Sequence, residues 1–165
     1  METTTKKQVN SVITSRELLQ HWQGHRGLTR KVIEAFPEKE FFEYSIGGMR
    51  PFAAMVRELL AIAVPGLREI VGHSSEQLND EIKEATSKES ILSLWDQATD
   101  ELNTYWSRLS DERFHDMILA FGQYEGTVYS SIFYYIENEI HHRAQGYVYL
   151  RSLGIEPPAF WDRQM

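Results

Sequence analysis

The sequence predicts an all-α fold: a four-helix bundle of the up-down kind, with one long crossover connection. Three observations predict it. Four long stretches repeat apolar residues at three- and four-residue steps, and each is bounded by a cap or a stop. The segments between them offer no convincing ladder of alternating strands. The 165 residues, 42% hydrophobic and 25% charged, suit one domain spanning 1–165 and give no case for two.

The first helix starts at a cap of Thr14 or Ser15, after a polar stretch whose residues 1–13 are expected to fray. Leu18, Trp22, His25, Thr29, Val32 and Phe36 then lay one stripe along it, and Pro37 stops it. Phe41 to Ile46 lead to the turn Gly47-Gly48, and Pro51 suits the first position of a second helix. That helix carries Phe52, Met55, Val56, Leu59 and Leu60 inward and is expected to end before Pro65-Gly66. Leu67 to Thr86 read as a partly exposed connection with room for a short helix.

Ser87 caps a third helix bearing Ile91, Leu94, Trp95, Ala98, Leu102, Tyr105 and Leu109. Asp111 to Gly126 form either two short strands or irregular chain, since the apolar run MILAF is too short for its period to decide. The last long helix covers about Thr127 to Ser152, ends at Gly154, and cannot continue into Pro157-Pro158.

Composition narrows the function classes. There is no cysteine, so disulfides and thiolate metal sites are excluded, which fits a reducing cytoplasm. The formal net charge is −7, from 17 basic and 24 acidic residues, and Lys6-Lys7 and Arg30-Lys31 are the adjacent basic pairs. A nucleic-acid partner, which needs a concentrated basic patch, is not expected. No apolar run approaches the ~18 residues of a membrane span, and METTTKKQVNS has no signal-peptide core. A soluble, cytoplasmic protein without membrane contact is expected.

Chemistry-bearing side chains gather on the last helix: Asn138, Glu139, His141, His142, Arg143 and Gln145. Asn138 and His142 stand at i and i+4, one turn apart on the inward stripe, while His141 points a quarter-turn away toward the rim. His21 and His25 repeat the spacing on the first helix, with His25 on the stripe. A histidine on an apolar stripe is more often a hydrogen-bonded core residue than a metal ligand. Glu139 with His142 is a single Glu-x-x-His, whereas a di-iron carboxylate bundle needs two. Arg143 and Arg151 read as structural cations near a helix C-terminus. His73 and His115 fall in polar connections and read as solvated, and no serine or threonine stands in a nucleophile motif.

The segment NEIHHRAQGYVYLRSLGIEPP resembles the C-terminal signature of the DinB/YfiT-like family, HExHHRGQ followed by YLRxLG. Glu139, His141, His142, Arg143, Gln145, Tyr149, Leu150, Arg151, Leu153 and Gly154 match it, and Ala144 replaces its glycine. The order and spacing of the earlier helices agree over nearly the whole chain. The resemblance implies a four-helix bundle, often a homodimer, holding a divalent metal such as zinc or nickel on three histidines. Position by position, the third is His142, the first of the signature helix falls on Asn138, and the one from the second helix falls on Met55. An amide is a poor donor for zinc or nickel, and a thioether suits softer ions.

Two functions follow. The first is a binding or interaction module with a decayed metal site, holding no tightly bound metal, and with a pocket for a small molecule. The second is a metal-dependent hydrolase or thiol transferase with a relocated centre at His142 and His25, joined by His21 or Glu139. In either case the pocket is expected between the first, second and last long helices, lined by His25, Met55, Asn138 and His142.

Overall fold

The computed structural model describes residues 12–75, 77–79 and 82–163. The expectation of fraying over 1–13 therefore lies, except for the exposed Val12 and Ile13, outside the described residues. Helix α1 (Ser15–Ala35) opens on a capping box in which Thr14 accepts from the Glu17 amide and Glu17 reaches back to the Thr14 amide. After Pro37 comes α2 (Glu38–Glu43), a single short helix where the sequence predicted only a lead-in to a turn. Six residues carry too little period to be read, and Phe41, fully buried, is what fastens the segment.

The next helix, α3 (Phe52–Gly72), departs most from expectation, because it runs through Pro65 instead of stopping before it. Proline removes one helical hydrogen bond, which costs up to about 3 kcal/mol in an isolated helix. Here Leu60, Ala61, Ile62, Ala63, Val64 and Leu67 are all buried on both sides of it, and their packing outweighs that loss. The helix ends with His73 in the left-handed region, φ 52°. Helix α4 (Lys88–Trp106) is capped by Ser87, and α5 (Val128–Ser152) by Thr127. A 3₁₀ turn (Asp111–His115) leads into strands β1 (Met117–Ala120) and β2 (Tyr124–Thr127), which pair antiparallel with Ala120 opposite Tyr124. Of the two readings open for this segment, it is the pair of strands.

Helices α1 and α3 each pack along both α4 and α5, so the two lie at diagonal corners of the bundle. The connection between α3 and α4 joins two neighbouring helices and carries the chain back to the end where α3 began, since Arg57 donates to the Ala85 carbonyl and Arg68 to the Tyr105 hydroxyl. The interior has two apolar regions, one around Trp22, Leu67, Leu102 and Ile132, the other around Phe36, Phe52, Trp95 and Tyr149. Two close approaches fix α5 against α3. A Cβ on Gly66 would lie 2.6 Å from the Tyr135 hydroxyl, and one on Gly146 would lie 2.7 Å from the Phe52 ring. The hairpin is held down from α3 as well: the Phe121 amide donates to both oxygens of buried Glu69, at 3.2 and 2.9 Å. That bond keeps Phe121 at φ 53°, an unusual backbone for a bulky residue. Among the described residues no helix is long and apolar enough to cross a membrane.

Candidate functional site

The polar residues of α5 divide between two faces. Asn138 and His142 face α3, and Glu139 and Arg143, one position on in each case, face α1.

On the α3 side the meeting point is Glu58. Its Oε1 lies 3.1 Å from His142 Nε2 and accepts from Asn138 Nδ2 at 3.4 Å, while Oε2 accepts from the Arg50 guanidinium at 2.6 Å. His142 Nδ1 lies 3.1 Å from Gln145 Oε1, and the Gln145 amide nitrogen reaches exposed His141 Nε2 at 3.1 Å. Gln145 thus sets the ring angle of His142 and leaves Nε2 directed at the carboxylate. Burial pushes the Glu58 carboxyl up, but the hydrogen bonds and charges of Arg50 and His142 outweigh it and hold it below the usual carboxylate range.

Glu58 was not singled out in the sequence, and Met55 stood in its place. Met55 is 2% exposed and packs into the apolar region around Phe52 and Trp95. The α3 residue that actually faces Asn138 and His142 is one turn further on. A signal existed: in the stretch FAAMVRELL, Arg57 and Glu58 are the two charged residues, adjacent at the edge of an otherwise apolar run.

On the α1 side Glu139 is 1% exposed and accepts from Trp22 Nε1 at 3.3 Å and Thr29 Oγ1 at 2.6 Å. Arg26 and Arg143 flank it, each at 3.8 Å. Arg143 also donates to the His25 carbonyl at 3.2 Å and to Thr29 Oγ1 at 3.1 Å, and its other nitrogen lies 2.9 Å from His25 Nδ1. Arg26 donates to Thr99 and to the Trp95 carbonyl, 4.0 Å above the Trp95 ring. This knot ties α1, α4 and α5 together, and it corrects the reading of Arg143, which serves structure from mid-helix against α1 and not at its own helix end. Burial, then the charges of Arg143 and Arg163, push His25 down to about 3, so the ring is neutral at neutral pH. Its Nε2 lies 3.2 Å from that of His21.

The expected pocket residues therefore do not share one place. Asn138 and His142 come together with Glu58, His25 and Glu139 belong to the knot, Met55 is core, and His21 and His141 sit beside their histidine neighbours. Among the described residues no group of three or more His, Cys, Asp or Glu side chains is arranged to hold a metal ion. The donors offered at the α3 face are an imidazole, an amide and a carboxylate whose second oxygen is bound by Arg50. That set does not fit a tightly held divalent ion.

What Glu58 does join is a cleft of about 460 Å³. Ala61, Ile62, Phe121, Tyr134 and Tyr135 are among its walls, with Glu58 and Glu125 among its polar groups. The hairpin and α5 form one side and α3 the other. The size and the mix of apolar wall with a few polar groups suit a small molecule.

The profile of the DinB family matches residues 1–164. A search of curated proteins returns no match. Among solved structures, a DinB-like protein from Bacillus cereus superposes with a TM-score of 0.72 at 17% identity, covering 88% of this chain and 97% of its own. A DinB-like protein from Bacillus subtilis gives 0.67 at 16% identity, covering 89% and 99%. Those two likenesses are of fold, and the family match spans nearly every residue: the chain belongs to the DinB family.

Proposed function

We propose that this protein is a small-molecule binding module of the DinB fold, in which the place of a metal centre is taken by a hydrogen-bonded cradle of Glu58, Asn138 and His142. The observation that carries the reading is the double use of Glu58, which closes the cradle and also lines the cleft. A ligand then lays its apolar body along Ile62, Phe121 and Tyr135 and sets a polar head against Glu58. Arg50 holds the second oxygen of this carboxylate and leaves the first to the cradle.

The relocated centre, a metal-dependent hydrolase or thiol transferase on His142 and His25, has less support. His25 faces Arg143 and lies 3.4 Å from Arg163, so a dication approaching it meets two guanidinium groups. His142 turns toward α3, away from that knot.

His142→Ala separates the two readings. In a cradle the imidazole stabilises by hydrogen bonding, and the loss, about 1–2 kcal/mol, is the same with added zinc or with chelator. In a metal centre wild type gains stability from zinc and the variant does not. Thermal unfolding of both proteins under both conditions gives the answer, and zinc-dependent stabilisation confined to wild type would overturn the cradle.

A further inference from the structure

The cleft has a charge as well as a shape. Among the described residues that line it, the ionisable carboxylates are Glu58 and Glu125, and none of the lining residues is lysine, arginine or histidine. Its walls present the rings of Phe121, Tyr124, Tyr134 and Tyr135. Aromatic faces carry a negative quadrupole, and beside a carboxylate they favour a cation over a neutral or anionic group of the same size. The Arg50 guanidinium sits on Glu58 Oε2 and is not part of the lining. Oε1 lies 3.1 Å from His142 Nε2 and accepts a long bond from Asn138 at 3.4 Å, the weakest of the contacts on this carboxylate and the one that a ligand's donor would replace. Glu125 is exposed on β2 and extends the negative side of the cleft toward solvent.

Taking the cleft as the ligand site proposed above, we infer that its ligand is an amine: an apolar, preferably aromatic body ending in an ammonium group that donates to Glu58 Oε1 and lies against the tyrosine rings. An anionic ligand of the same shape meets two carboxylates and no cation in the lining, and is rejected. An alcohol keeps the apolar contacts but loses the charge.

The test uses the whole chain and three probes of one shape, 4-phenylbutylamine, 4-phenylbutanol and 4-phenylbutyrate, titrated by calorimetry at pH 7. The amine should bind at least tenfold more tightly than the alcohol, and the carboxylate most weakly. Tyr134 and Glu125 are exposed, so Tyr134→Ala and Glu125→Lys leave the fold intact. Tyr134→Ala should weaken the amine several-fold, and Glu125→Lys should narrow or reverse the preference between amine and carboxylate. Equal binding of all three probes, or tighter binding of the carboxylate, would overturn the amine assignment and leave the cleft as a ligand site. Binding by none of them would overturn both.

Discussion

His25 shows how a single residue's surroundings decide its role. From the sequence it was a candidate ligand, on an inward stripe one turn after His21. In the folded chain it is 3% exposed, and its Nδ1 faces the Arg143 guanidinium at 2.9 Å. A ring so placed accepts a hydrogen bond and stays neutral, with its value pushed down to about 3 from an ordinary 6.5. Between those two values the unfolded chain binds a proton at this ring and the folded chain does not, so acid favours unfolding. Stability should fall as pH drops below about 6.5, with a slope from this residue of at most about 1.4 kcal/mol per pH unit. Urea unfolding at pH 7, 6 and 5 checks it: His25→Asn should flatten the dependence, and an unchanged slope would show that the ring protonates in the folded state. Glu139 is the partner of this arrangement. Two buried guanidinium groups rest on it, and removing one side of such a cluster typically costs about 3–5 kcal/mol.

At the scale of elements, what could be read was what is local. Thr14, Ser87 and Gly154 mark helix ends through their own side chains or backbone, so the sequence showed them without help from the fold. The rule that a proline ends a helix describes a helix without neighbours, whereas α3 packs against α2, α4, α5 and β1, and its packing carries it through Pro65. The cradle was missed by one turn for a related reason. The apolar stripe Met55, Val56, Leu59 and Leu60 marks the inner face, and a glutamate beside it reads as solvent-facing until α5 supplies His142 and Asn138. The same contact between α3 and α5 yields a prediction at Gly66. Alanine there adds helix propensity, about 1 kcal/mol in favour. Its Cβ, however, falls 2.6 Å from the hydroxyl of Tyr135, a ring that is 3% exposed and lines the cleft. Overpacking should win: Gly66→Ala should lower stability by about 1–2 kcal/mol in urea unfolding and deform the cleft. A stabilised variant would mean that Tyr135 has room to move.

For the molecule as a whole, the bundle and its family were legible in four helical periods and one terminal signature. The arrangement around the axis was not, because nothing in a helix's own sequence says which neighbours it takes. That arrangement decides the site. With α1 and α3 at diagonal corners, α5 serves both: it offers Glu139 and Arg143 to one and Asn138 and His142 to the other. The histidines of the two helices are thereby kept apart, and the cleft opens where α3, α5 and the hairpin meet. The expected homodimer is a separate matter, carried by the family resemblance, and the cradle is built from one chain alone.

On the function proposed above, Glu58, Asn138 and His142 form a hydrogen-bonded cradle and not a metal centre. Elemental analysis of untagged protein, purified without a nickel column and alongside His142→Ala, tests it most directly. The cradle predicts well under one-tenth of an equivalent of zinc, nickel, manganese or iron per chain in both proteins, unchanged after dialysis against zinc. About one equivalent in wild type, absent from the variant, would contradict it and make Glu58 and His142 ligands.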